Sequence, residues 1–175
     1  MRALGIDPGS RVTGWGVVER AGTALREVAS GAIRLEANQT MAGRLARLHG
    51  ACLQLLDAWR PDVVVLERNF VSHNVQSAFR LGEVRGVVLA AAAAAGRAVH
   101  EYPPATVKLA AVGHGRADKE TMTRGVIALL GLVTRPSADA ADALAVALCH
   151  LQQAPLLEAV AQAERRAALA GRRAR

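Results

Sequence analysis

Aromatic residues are almost missing: two Trp, two Phe and one Tyr make up 3% of the 175 residues. The core must therefore come from small and branched aliphatics, and hydrophobic residues do reach 51% of the chain. Cysteine is as scarce. Cys52 and Cys149 sit inside apolar helical patterns, and two thiols make neither a disulfide framework nor a zinc set. Both read as small core residues. Acidic side chains are in deficit, 15 against 22 Lys and Arg, leaving a formal charge of +7. That surplus, mostly Arg, suits a polyanionic partner, because each cation that neutralises a phosphate releases a counterion. Long hydrophobic runs are missing too. The longest, Val87 to Ala95, is far short of the roughly 20 residues that span a bilayer. No signal-peptide pattern precedes the first strand. These absences predict a cytoplasmic protein with no membrane anchor, in one domain large enough to fold without disulfides.

What is present is an alternation of strand and helix patterns. RALGID (2–7) reads as a buried strand closed by the turn Pro8-Gly9-Ser10. VTGWGVVE (12–19) and a stretch within 25–35 read as two more strands, and their short connections favour an antiparallel meander. Met41, Leu45, Leu48, Cys52, Leu55 and Trp59 recur at helical spacing and stop at Pro61. DVVVLE (62–67) lacks alternation, as expected of a strand covered on both faces. A slim helix over 74–95, with Gly82, Gly86 and many alanines, precedes a strand at 97–102. Helices follow over 105–112, 118–131 and 138–153, the last capped by Ser137. Pro155 marks a boundary, dividing a domain at 1–154 from a basic helix or tail at 155–175. The order implies an α/β fold with a mixed sheet flanked by helices.

Four carboxylates stand out. Asp7 ends the first strand and Glu67 ends the all-apolar run Val63-Val64-Val65-Leu66. Carboxyl ends of strands are where open α/β sheets build sites, and an acid beside a buried strand needs solvent, a cation or a proton. Asp139 and Asp142, three apart, share a face of a helix that is otherwise Ala, Leu and Val. If the first and fourth strands are neighbours, Asp7 and Glu67 meet, and the last helix lays its pair against the same edge. At ~4 Å, each carboxylate pair repels by about 4 kcal/mol at an effective dielectric near 20. Such a cluster calls for cations, and oxygen-only ligands select Mg²⁺ or Mn²⁺. Two of them about 4 Å apart would activate water and stabilise a leaving oxygen in phosphoryl displacement.

GIDPGSRVTGWGVVE (5–19), VVVLERNF (63–70), NVQSAFRLGEVRGV (74–87), EYPPATVKLAAVGHGRADK (101–119) and ADAADALAVALCH (138–150) resemble, in order, the signature blocks of the RuvC resolvases. The resemblance spans roughly residues 2–150 and implies an RNase H-like fold with a mixed five-stranded sheet. It implies a homodimer that cuts four-way (Holliday) DNA junctions by paired symmetric nicks, leaving 5′-phosphate and 3′-hydroxyl ends. It implies metal-binding catalytic roles for Asp7, Glu67, Asp139 and Asp142, with two Mg²⁺ (or Mn²⁺) per site. DNA-backbone contacts would fall to Lys108 and Lys119. Phe70 would stack on or wedge between bases near the junction core. RuvA and RuvB, the branch-migration proteins, are the implied partners, and the slim helix at 74–95 is the expected dimer face. Arg68-Asn69 and Trp15 depart from residues common in the family without removing a ligand. Two rival readings remain: an actin-like or RNase H-like ATPase relative, which leaves Glu67 and the Asp139/Asp142 pair without work, and a non-catalytic basic DNA-binding module.

Overall fold

The structure, a computed structural model, describes residues 1–68 and 75–173. The chain runs β1 (Arg2–Asp7), β2 (Val12–Ala21), β3 (Ala24–Arg34), α1 (Met41–Trp59), β4 (Val63–Glu67), α2 (Val75–Ala94), β5 (Ala98–Tyr102), α3 (Pro104–Val112), α4 (Lys119–Leu130) and α5 (Ala138–Arg173). The strands form one five-stranded sheet in the order β3-β2-β1-β4-β5. β1, β2 and β3 are the antiparallel meander that their short connections require. β4 joins β1 in parallel, and β5 joins β4 in parallel, each after a helical crossover.

Side-chain alternation along the strands makes two cores. Leu4, Ile6, Val17, Val64 and Leu66 pack with Leu48, Cys52 and Leu56 of α1 and Val84 and Val88 of α2. Ala3, Val18, Val63 and Val65 face the other way, toward Val107, Met122, Val126 and the apolar face of α5. The unbroken apolar run of β4 follows from its place between these layers. The two cysteines are buried, one in each core.

Helix starts obey local chemistry. Thr40 Oγ accepts the amide of Gly43 at 3.2 Å, Asp118 Oδ1 that of Thr121 at 2.7 Å, and Ser137 Oγ that of Ala140 at 3.3 Å. α1 ends on Arg60, whose left-handed φ of 44° turns the chain into Pro61.

Three glycines decide how closely α5 lies on the sheet. A Cβ on Gly5 would stand 2.0 Å from the carbonyl oxygen of Ala143, and one on Gly14 2.0 Å from that of Asp139. A Cβ on Gly16 would stand 2.7 Å from the side chain of Leu144. The helix answers with the buried alanines Ala140, Ala143 and Ala147. Backbone therefore rests nearly on backbone, and the start of α5 is brought down to the level of the strands.

The final helix corrects one sequence expectation. It does not stop before Pro155 but passes through it to Arg173. Proline lacks the N–H that would bond the carbonyl four residues earlier. That carbonyl, Leu151 O, accepts instead from Arg20 Nη1 at 3.2 Å, so the gap in the ladder is filled from β2. Over 138–165 the helix is also long and apolar enough, by composition, to cross a bilayer, which the run at 87–95 had not suggested. Burial of its first half under β1 and β2 accounts for that apolarity.

Candidate active site

The register of β1 on β4 pairs Ala3 with Val63 through Ile6 with Leu66. Asp7 and Glu67 lie one step beyond, side by side at the carboxyl ends of two parallel strands. Alternation puts both on the α5 face. Gly14, opposite Asp7 in the register, lets α5 descend there, and Asp142 comes over the same edge one turn into the helix. A cavity of about 280 Å³ results. Three carboxylates line it (Asp7, Glu67 and Asp142), with two ammonium groups, Lys108 of α3 and Lys119 of α4, and the apolar Pro104, Val107 and Met122. Asp139 is half-buried beside the cavity without lining it. Phe70 lies outside the described residues.

The electrostatics record a crowd of like charges. The Asp7 carboxyl is pushed up to about 7, first by burial and then by the charges of Asp142, Glu67 and, more weakly, Asp139. Lys119 opposes that rise. Glu67 is raised by burial and by Asp142, against the pull of Lys108 and Lys119. Lys119 Nζ donates to Asp142 Oδ2 at 3.1 Å, a bond that holds its own proton more tightly. Among the described residues, no three acidic, His or Cys side chains are gathered closely enough to hold a metal ion as they stand. Lys119 meanwhile supplies a positive charge, and its side chain is 82% exposed and free to swing away. A donor set made only of carboxylate oxygens, short of positive charge, matches a hard divalent cation.

Supporting contacts escaped the sequence reading. Arg85 of α2 donates from Nη1 to the carbonyl of Glu67 at 2.6 Å and pairs with Glu101, while the amide of Arg68 bonds Tyr102 O at 2.7 Å. The end of β4 is thus held from both sides. On the α5 face, Tyr102 Oη meets Nδ1 of the buried His150 at 2.9 Å. Burial and then the neighbouring His100 push the His150 imidazole down to about 4, so it is neutral near pH 7. Tyr102 is the register partner of Glu67, and His150 lies two turns beyond Asp142; their bond ties strand and helix across the site. A lone Tyr in an aromatic-poor chain was the available signal for this pair.

A family model described as crossover junction endodeoxyribonuclease RuvC matches residues 3–150. The chain is similar to the RuvC protein of Alkalilimnicola ehrlichii, 50% identical over 155 residues that cover 89% of this chain and 93% of the relative. It is also similar to a structure of T. thermophilus RuvC in complex with Holliday junction substrate. There the TM-score is 0.85 and the identity 36%, over 89% of this chain and 96% of the other. The yeast mitochondrial Holliday junction resolvase shares the fold at TM-score 0.61 and 14% identity, over 84% and 76% of the two chains. The sheet and helices are those of an RNase H-like resolvase.

Proposed function

The chain belongs to the RuvC family of crossover junction endodeoxyribonucleases, and from that premise we propose how its residues resolve a Holliday junction. One observation carries the assignment: Asp7, Glu67 and Asp142, distant in sequence, line a single cavity together with Lys108 and Lys119. In this reading Asp7, Glu67, Asp139 and Asp142 are the catalytic carboxylates. They would hold two divalent cations, Mg²⁺ or Mn²⁺, whose chemistry when bound is to activate a water and stabilise a leaving 3′-oxygen. With Asp142 so occupied, Lys119 would release it and turn its exposed ammonium to a backbone phosphate. Lys108, from the facing helix, takes a second phosphate and keeps the strand in line. Pro104, Val107 and Met122 narrow the cavity and displace water, which strengthens every charge–phosphate contact inside it. The products are a 5′-phosphate and a 3′-hydroxyl. Phe70, following the β4 carboxylate, acts on the bases at the crossover.

A four-way junction has approximate two-fold symmetry, and two copies of the chain would place paired nicks in strands of like polarity. The α2 face supports that assembly. Phe79 is 70% exposed, and Gly82 and Gly86 border open space, so a second copy has room to approach closely. RuvA and RuvB are the proposed partners at the junction, in the cytoplasm. The test is a synthetic four-way junction incubated with protein and Mg²⁺, beside Asp7→Asn and a chelator. Paired symmetric nicks from the unaltered protein alone are expected. Equal cutting of linear duplex would remove the junction preference, and nicking that persists under chelation would remove the metal.

A further inference from the structure

A second basic surface lies outside the cavity. A groove of about 580 Å³ runs between the open edge of β3 and α1, lined by Ala32, Ile33 and Arg34 on one side and Arg47, Gly50 and Gln54 on the other. No acidic side chain lines it. Both arginines are exposed. Other arginines are committed to carboxylates: Arg2 and Arg26 to Glu19, Arg85 to Glu101, Arg135 to Glu120. Among the described residues, no such ion pair involves Arg34, Arg47 or the nearby exposed Arg11, whose carbonyl accepts the amide of Leu35. The strand register fixes where the groove starts. Asp7 is opposite Gly14, and Gly14 is opposite Ala32. Two strand spacings put Ala32 about 10 Å from Asp7, level with it. Arg34 follows two residues on, toward the same rim; its side chain leaves the sheet on the Asp7 face while Ile33 turns toward α1, so Arg34 and Arg47 flank the β3 edge from its two sides.

We propose that this groove is a second DNA-backbone site, in which Arg34 and Arg47 grip phosphates of a junction strand roughly three nucleotides along from the one cut, at about 3.4 Å of axis per nucleotide. The inference rests on the resolvase reading and adds to it a strand path across β1, β2 and β3. Guanidinium forks fit phosphate oxygens, the absence of acids leaves the charge uncompensated, and Gly50 keeps the floor open. Arg34 alone would also serve to guard an exposed strand edge, but that role does not call for a second unpaired arginine, Arg47, on the helix at the other side of that edge.

The test is the salt dependence of binding to a labelled immobile four-way junction, with Asp7→Asn as the non-cleaving parent. Adding Arg34→Ala and Arg47→Ala should weaken binding and reduce the slope of log K against log salt by about 0.9 for each lost contact. Restoring charge with Lys at both positions should recover much of the slope. Arg26→Ala, which removes an ion-paired cation elsewhere, should leave the slope unchanged. Gly50→Glu replaces glycine with a better helix former in open space, so Tm should hold or rise while junction binding falls. An unchanged slope and affinity in the double variant, or an equal loss in Arg26→Ala, overturns the groove and spares the resolvase. A parent that binds linear duplex as tightly as the junction overturns both.

Discussion

Asp7 bears the cost of the site before any cation arrives. Its pKa near 7 is raised above the unfolded value of 3.8, so the protonated form is favoured by folding. The stability linked to that proton is complete below pH 4 and is lost as pH rises through about 7, by at most about 4 kcal/mol. In chelator, Tm should therefore fall between pH 5 and pH 8. Asp7→Asn should flatten that fall while abolishing nicking, and Mg²⁺ should raise the Tm of the unaltered protein by binding only the folded state. A Tm indifferent to pH, and equally indifferent to Mg²⁺, would contradict this picture. Tyr102→Phe addresses a different contact. It leaves His150 Nδ1 buried without its partner, at a cost of about 1–3 kcal/mol in denaturant unfolding.

At the level of elements, the contact between α5 and the β1–β2 hairpin positions Asp139 and Asp142. Gly14→Val would drive a side chain into the Asp139 carbonyl, 2.0 Å from the Cβ position. The helix must lift, and nicking should fall by more than tenfold, because an ångström of misplacement alone can cost about 10²-fold. Unchanged kinetics with unchanged Tm would mean that the helix is not seated by this contact. The elements themselves were legible: the 3.6-residue period of α1, the all-apolar β4 and the Ser137 cap each announced what the structure contains. The gathering of Asp7 and Glu67 was legible too, since it needed only β1 beside β4. Three other features were hidden by distance along the chain. The glycines of β1 and β2 signal close approach, but a glycine does not name the helix that approaches it. Pro155 reads as a stop unless Arg20, 135 residues earlier, is known to occupy the freed carbonyl. The Lys119–Asp142 bond likewise depends on how α4 packs on α5.

For the whole molecule, a charge of +7 makes association with the junction steeply salt-dependent whatever the local contacts. In the proposed two-copy assembly, the contact falls to α2. Gly86→Trp fills a position that faces open space in one copy, so it should leave Tm nearly unchanged yet shift sedimentation toward the monomer. A dimer that survives it would move the interface elsewhere.

The bare seat of α5 on the hairpin also limits how such a protein diverges. Neither surface has spare volume, so bulk gained by one must be surrendered by the other. A chimaera that takes residues 2–21 and 138–150 together from a distant homologue should fold. One that takes either segment alone should jam wherever the donor carries a larger residue at that seam. Drift in the hairpin and drift in the last helix are thereby coupled into one hereditary unit.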